Sequence, residues 1–154
     1  MKPSLLSALV LILSSPAAIA AAEPPHFITT AREVKWAAGP PSLPPGAKAA
    51  ILYGDPAKEG MFVMRLKLPP KYRIPPHTHP RPEIVTVISG VFNIGMDSSG
   101  ERRRARALSA GSFFAFAPGM THYASVDRET IVQLSSTGPW TINYVNAVDD
   151  PRKK

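Results

Sequence analysis

The 154-residue sequence contains no cysteine. This absence excludes disulfide bonds, thiolate nucleophiles and redox-active thiols, because each of them requires a cysteine sulfur. It also excludes thiolate metal ligands, so any bound metal must accept nitrogen and oxygen ligands, as Fe, Mn, Zn or Ni does. A chain without disulfides must be held together by its core, its assembly or a bound metal.

Long apolar runs are absent beyond the first 22 residues. Lys2 precedes the apolar run Leu5–Leu13, and small residues follow it up to Ala22. That order is typical of a secretory signal peptide, cleaved after Ala20 or Ala22. The run is too short to span a bilayer, which needs about 20 apolar residues; a buried N-terminal helix is the alternative. We therefore expect a periplasmic or secreted protein with no membrane span once the signal is removed.

Acidic residues are scarce, with 11 Asp and Glu against 18 Lys and Arg and a net charge of +7. The basic residues cluster at Arg102–Arg106, beside the turn sequence Asp97–Gly100, and in the tail 151–154. No aromatic residues are interleaved with them, which favours a solvated loop over a site for a polyanion. We expect no nucleic-acid partner.

Helical periodicity is also absent, because no segment sustains an apolar repeat of about 3.6 residues. Instead, 18 prolines and 10 glycines separate short apolar runs, which favours the strands of an antiparallel sandwich or barrel. The predicted strands are 49–54, 61–68, 83–89, 91–96, 104–109, 112–117, 122–126, 130–136 and 140–147. The prediction is an all-β protein with a signal peptide (1–22), an N-terminal arm (23–48), one β-barrel domain (49–148) and a basic tail (149–154).

Alternation assigns faces to two of these strands. In the second, Phe62 and Met64 share one side and basic residues occupy the other, so the first pair should face the core. In the third, Ile84 and Ile88 make the face opposite Val85 apolar as well. A strand that is apolar on both sides lies under a covering segment or at a subunit contact. Together with the long arm, this strand predicts a homodimer.

Only four histidines occur, and two of them are one residue apart in a proline-rich segment. On a strand, His77 and His79 would fall on the same face, close enough to bind one ion. Glu83 follows after Pro80–Pro82 has turned the chain, and prolines lower the entropy lost in holding such a loop. His122, which opens a strand after a Pro-Gly turn, is the candidate fourth ligand. These four side chains predict a site for one divalent transition metal.

A purely structural alternative is that Glu83 pairs with Arg81 or Arg73 at the surface. A buried carboxylate, however, needs a partner to offset its desolvation cost. Three histidines beside an unexpected glutamate in an apolar β sequence favour the metal site. The remaining histidine, His26, lies close to the predicted cleavage site and is not expected to be a ligand.

The pattern His77-x-His79-x3-Glu83-x6-Gly90 resembles the first motif of the cupin superfamily, and Gly111 followed by Pro118–His122 resembles the second. Lys71 stands where such proteins have a glycine. The resemblance extends over about residues 60–136 and implies a small single-domain RmlC-like cupin with a double-stranded β-helix, or jelly-roll barrel. It also implies that the two early histidines, the glutamate and the later histidine bind one divalent metal inside that barrel.

The cavity of such a barrel should be mainly apolar. Alternation along the strands predicts that the cavity is lined by Phe62, Met64 and Val85. Gln133 is the one polar residue inside an apolar run. We predict these four as substrate-pocket residues, with a purely structural role for the Gln133 amide as the alternative. This cavity would favour a small, mainly apolar organic molecule over a highly charged one.

Three histidines and one glutamate leave one position open in a five-coordinate site and two in an octahedral site. An open position is what catalysis requires. The sequence therefore predicts an exported metal-dependent enzyme, with dioxygenase-type oxidation of a small organic molecule as the leading chemistry. A non-catalytic metal or small-ligand binding module is one alternative, and a metal-dependent isomerase or lyase with Glu83 as the catalytic base is another.

Overall fold

The computed structural model describes residues 27–154, so the predicted signal peptide and His26 lie outside the described range. The described chain is all-β, as predicted, and forms the two antiparallel sheets of a jelly-roll barrel. In chain order its strands are β1 (Ala37–Ala38), β2 (Lys48–Tyr53), β3 (Gly60–Leu68), β4 (Arg73–Thr78), β5 (Glu83–Ser89), β6 (Val91–Gly95), β7 (Arg106–Ser109), β8 (Phe113–Phe116), β9 (His122–Ser125), β10 (Thr130–Gly138) and β11 (Asn143–Tyr144).

One sheet has the strand order β1-β2-β3-β10-β5-β8, and the other has the order β11-β4-β9-β6-β7. Short 3₁₀ helices occur at Arg102–Arg104, Ala147–Asp149 and Pro151–Lys153. Within residues 27–154, no helix is long and apolar enough to cross a membrane.

The strand β4, which carries His77, is absent from the predicted strands. Pro75 and Pro76 lack the backbone N–H groups that a strand donates to its neighbours, which makes the segment look irregular in sequence. The structure accommodates both prolines where the pairing of β4 with β9 shifts register, between Ile74 and His77. The register shift therefore lets a proline-rich segment remain in the sheet.

The predicted strand at 140–147 is wrong over most of its length. Only Asn143–Tyr144 pairs, with the end of β4. The side chain of Asn146 then accepts a hydrogen bond from the backbone N–H of Val148 and caps a 3₁₀ helix. This cap turns the backbone away from the sheet and ends the strand.

The core fills the space between the sheets. Alternate residues of β3 face inward, as the sequence predicts, with exposed fractions of 0–4%. Burying one such side chain fully stabilises the fold by about 1.5–3 kcal/mol. Leu43 and Ala47, which belong to the predicted N-terminal arm, are also buried in this core. The inward residues of β3, β5 and β10 are Phe62, Met64, Leu66, Leu68, Val85, Val87, Val132 and Leu134.

Strand register brings several strand termini together at one end of the barrel, called here the site end. His77, near the end of β4, pairs with His122 at the start of β9. Glu83, at the start of β5, pairs with Phe116 at the end of β8. The strand β6 runs antiparallel to β9 and ends beside it at Gly95. Residues that are far apart in sequence thus meet at the site end.

Two turns use left-handed backbone conformations. Gly90, between β5 and β6, has φ 79°, and a Cβ there would lie 2.5 Å from Thr130 Oγ1. Lys71, in the turn before β4, has φ 64° and is the one non-glycine residue with positive φ among residues 27–154. A residue with a Cβ is disfavoured in this conformation, which explains why the motif prefers glycine at this position.

Candidate metal centre

The four predicted ligands come from three neighbouring segments at the site end. His77 lies in β4 and His79 in the loop that follows it, where the His79 carbonyl accepts a hydrogen bond from the backbone N–H of Gly119 at 2.9 Å. Glu83 opens β5 and His122 opens β9. Their exposed fractions are only 2%, 3%, 7% and 3% in sequence order. The structure therefore places all four side chains inside the barrel.

Three of the four side chains, those of the histidines, converge on a common point. One ligand nitrogen from each of His77, His79 and His122 lies within 4.8 Å of the other two. Glu83 lies beside two of these rings, with Oε1 3.4 Å from His79 Nε2 and Oε2 3.1 Å from His122 Nε2. The alternative in which Glu83 pairs with a surface arginine is wrong, because its carboxylate is buried against imidazoles.

Hydrogen bonds to the backbone fix the orientation of all three imidazoles. His77 Nδ1 lies 2.7 Å from the Pro75 carbonyl oxygen, and His122 Nδ1 lies 3.0 Å from that of Met120. His79 Nδ1 lies 2.8 Å from the carbonyl oxygen of Thr141. A carbonyl oxygen only accepts, so each Nδ1 must carry the proton. In its neutral form, each ring then presents the lone pair of Nε2, which is the form that binds a metal.

Burial and neighbouring side chains shift the pKa values of His77 and Glu83. Burial, followed by repulsion from His122 and His79, lowers the pKa of His77 to about 3. Burial raises the pKa of Glu83, but contacts with the imidazoles of His122 and His79 outweigh it and hold this pKa below its usual range. A neutral imidazole and an ionised carboxylate are the states in which these groups act as ligands.

The donor set fits a divalent transition metal. His79 Nε2 and Glu83 Oε2 are both buried, and neither has a hydrogen-bond partner within the described residues. Glu83 Oε2 is close to the His122 ring, but the approach lacks hydrogen-bond geometry. A buried polar atom without a partner costs about 1–3 kcal/mol. An ion that accepts nitrogen and oxygen ligands would satisfy both atoms, and Fe, Mn, Zn and Ni all do.

The interior next to the cluster is apolar and small. A cavity of about 20 Å³ is lined by His77, His79, Glu83 and apolar residues that include Val85 and Trp140. One water molecule needs about 10–15 Å³ on this measure, so the cavity has room for little more than one. A whole organic substrate does not fit there.

Three of the four predicted pocket residues lie elsewhere. Phe62 and Met64 are fully buried in the core and do not line this cavity. Gln133 points to the opposite face of β10, where its Oε1 accepts a hydrogen bond from Arg65 Nε at 3.1 Å. Alternation is the physical reason, because the neighbours of Gln133 on both sides face inward and leave it facing out.

Trp140 is a site residue that the sequence did not reveal. Its ring stacks on His79 with centroids 4.7 Å apart and planes at 19°, and it meets Phe62 edge-on at 6.4 Å. Its Nε1 is buried without a hydrogen-bond partner in the described part of the chain. Trp140 lies 61 positions after His79 and outside any regular strand, so no local pattern links the two.

Comparisons with known proteins agree with this architecture. Residues 64–136 match the family model described as cupin domain. Germin-like protein 12-2 from Oryza sativa subsp. japonica is 37% identical over 100 residues, which cover 58% of this chain and 44% of that protein. The chain spans less than half the length of the curated relatives it matches.

Two solved structures share the fold. The polyketide cyclase RemF from Streptomyces resistomycificus superposes with a TM-score of 0.65 at 14% identity, covering 83% of this chain and 91% of that chain. A protein provisionally described as an acetylacetone dioxygenase, from Methylibium petroleiphilum PM1, superposes with a TM-score of 0.62 at 15% identity, covering 86% and 90%. The two descriptions name different reactions, so the shared fold alone does not select a chemistry.

Proposed function

Residues 64–136 form a domain of the cupin superfamily, and from this premise we propose that the protein is a metal-dependent enzyme of the dioxygenase type. In this proposal His77, His79, Glu83 and His122 bind one divalent transition metal, and the substrate is a small organic molecule. One observation carries the proposal. Three Nε2 lone pairs are directed inward by backbone hydrogen bonds, beside a buried carboxylate oxygen that has no hydrogen-bond partner among residues 27–154.

When bound, a redox-active ion would supply reactivity toward dioxygen. The chain's own groups supply orientation and exclusion of water. The Pro75, Met120 and Thr141 carbonyls hold the three rings, and the apolar cavity excludes all but about one water molecule. A dioxygenase transfers both oxygen atoms of O₂ to its substrate, so the substrate is the reductant and no further co-reactant is needed.

A non-catalytic metal or small-ligand binding module is the second candidate. The small volume next to the imidazoles favours it, because an enzyme must bring a substrate close to the metal. The isomerase or lyase alternative has less support. It requires Glu83 to accept a proton, and the lowered pKa of Glu83 makes its carboxylate a weak base.

Metal analysis and oxygen uptake test the leading candidate. We expect about one equivalent of iron, manganese, nickel or zinc per chain in the purified protein. Iron-loaded protein should consume oxygen with at least one member of a panel of diketones, phenols, flavonoids and thiols. Glu83→Gln should lose both metal and uptake, whereas the matched control Glu129→Gln, at an exposed position, should keep both. Stoichiometric metal without oxygen uptake would favour the binding module.

We also propose a homodimer formed through the outer face of β5. Ile84 and Ile88 on that face are 41% and 42% exposed, and burying them in a subunit contact would be favourable. Light scattering after gel filtration should give twice the chain mass, and Ile84→Lys should shift the mass toward that of one chain. A wild-type protein that elutes as a monomer would refute this assembly.

Export is proposed from the signal pattern of residues 1–22. Protein recovered from the periplasm or the medium should begin at Ala21 or Glu23 when sequenced from its N-terminus. Recovery of the full chain with Met1 in the cytosolic fraction alone would contradict export.

A further inference from the structure

A second and larger cavity opens at the site end, between the edge strands β7 and β8. It has a volume of about 290 Å³, and its apolar lining includes Phe113, Phe114 and Phe116. Arg104 and Arg106 also line it. We call it the mouth cavity. Its volume is close to the lower limit of about 300 Å³ for small-molecule sites, which indicates a small ligand.

One aromatic side chain separates the mouth cavity from the four-residue cluster. Phe116 lines the cavity, and its ring centroid lies 5.0 Å from that of His122. Phe116 is also the cross-strand neighbour of Glu83. On the other wall, Arg106 in β7 pairs with Ile94 in β6, one residue before the end of that strand. A ligand in the mouth cavity therefore lies next to the candidate metal centre.

The charge of the mouth cavity is unbalanced. Arg102 pairs with Asp127, Arg103 with Glu101, and Arg104 with Asp97. Arg106 alone in this basic segment has no ion pair among residues 27–154, and its side chain is exposed. A guanidinium group without a carboxylate partner can accept a carboxylate from a ligand through two parallel hydrogen bonds.

We propose that the mouth cavity binds a small aromatic monocarboxylate, with its carboxylate on Arg106 and its ring against the phenylalanines. The aromatic walls favour a ring, because aromatic pairs gain contact energy beyond the area they bury. The volumes support the placement, since about 290 Å³ can hold such a molecule and about 20 Å³ beside the imidazoles cannot. This binding site does not depend on the proposed dioxygenase function.

Phenylacetate and its neutral analogue phenylacetamide provide the probes. Calorimetric titration should show that the wild-type protein binds phenylacetate at least about tenfold more tightly than phenylacetamide, as expected for a charge-assisted pair. Arg106→Gln should remove this preference while leaving the affinity for phenylacetamide unchanged. Arg103→Gln is the matched control, because Arg103 is 83% exposed and does not line the cavity.

Each titration is performed on metal-loaded protein and again after chelation, so that direct binding of the carboxylate to a metal is recognised. Equal thermal melts of the two variants exclude a folding defect. Equal phenylacetate affinities for the Arg106 and Arg103 variants, or no preference in the wild-type protein, would overturn the proposal. An intact preference without oxygen uptake by iron-loaded protein would instead refute the dioxygenase function and leave the binding site standing.

Discussion

The two ends of the barrel interior are equally buried but differ in chemistry. At the site end, the side chains of His77, His79, Glu83 and His122 are 2–7% exposed. At the opposite end, called here the apolar end, Leu68, Val87 and Val126 are each 1% exposed. Exposure alone does not distinguish the two groups.

The difference lies in what burial costs. Removing apolar side chains from water stabilises the fold under all conditions. Removing imidazole nitrogens and a carboxylate from water is unfavourable unless each atom has a partner. The apolar end should therefore stabilise the chain unconditionally, whereas the site end should do so only when a metal satisfies its ligand atoms. Changes at each end should have separable effects on stability and on metal binding.

The largest effect is expected at the site end from Glu83→Gln. The substitution removes the only carboxylate of the cluster, so metal content should fall from about one equivalent to a small fraction of that. The increase in Tm that metal gives the wild-type protein should disappear with it, because a ligand stabilises only the state that binds it. Elemental analysis and thermal melts with and without added metal measure both quantities. Unchanged metal content would remove Glu83 from the site.

Leu68→Ala makes the corresponding change at the apolar end. Truncating a fully buried leucine should lower the free energy of unfolding by about 2–5 kcal/mol. Leu68 lines the small cavity that the ligands also line, but strand register places it beside Thr130, at the opposite end of the sheet from Glu83. Metal content should therefore remain at the wild-type level. Urea titration and elemental analysis of the same sample test the pair of outcomes. Loss of metal in this variant would show that the two ends are coupled.

Acidification should lower the stability of the metal-free protein through a group at the site end, His77. His77 titrates near pH 6.5 in the unfolded chain, whereas burial, followed by His122 and His79, lowers its pKa to about 3 in the folded chain. The unfolded state therefore binds the proton first. Stability should fall as the pH drops from about 6.5 toward 3, with a slope of up to about 1.4 kcal/mol per pH unit for this group.

Urea titration of chelated protein at pH 7.5, 6.0 and 5.0 measures this slope, and His77→Gln should flatten it. Glu83 adds a contribution of the same sign at lower pH, because its folded pKa is lowered as well. A stability that stays constant from pH 7.5 to 5.0 would be inconsistent with a buried, neutral His77.

Much of the fold and of the ligand cluster could be predicted from local patterns. The strand β5 follows from a short apolar run between turn residues, the inward face of β3 follows from alternation, and the spacing of His77, His79 and Glu83 predicts a shared site. The approach of His122 follows from the resemblance of its surroundings to a known second motif. These features depend on short stretches of sequence, which is why sequence alone could supply them.

The features that were not predicted depend on contacts between distant segments. Trp140 reaches His79 across 61 positions, and Arg106 reaches the site end only because β7 pairs with β6. The orientation of Gln133 was misassigned because both faces of its strand carry apolar residues. Residues of the proposed ligand-binding site were therefore harder to predict than the candidate metal ligands, since no fixed spacing connects them.

A smaller effect is expected from Arg152, which connects the C-terminal segment to the site end. Its Nη2 donates to the Ile142 carbonyl at 2.8 Å and its Nη1 to Thr141 Oγ1 at 3.0 Å. The Thr141 carbonyl in turn orients His79. Arg152→Ala should weaken metal affinity by about tenfold, as is typical for residues that orient a ligand. Competition with a chromogenic chelator measures it, and Lys154→Ala, at an exposed position, should bind like wild type.

The smallest effect is expected from Lys71→Gly, in the turn that leads into β4. Relief of the left-handed conformation, φ 64°, should exceed the added entropy of glycine in the unfolded chain and stabilise the protein by up to about 1 kcal/mol. Metal affinity should not change, since the backbone already adopts this conformation. Lys71→Ala is the control, because it removes the same side chain but keeps a Cβ. If the glycine and alanine variants unfold at the same urea concentration, backbone strain at this turn does not limit stability, and the glycine of the motif must have another cause.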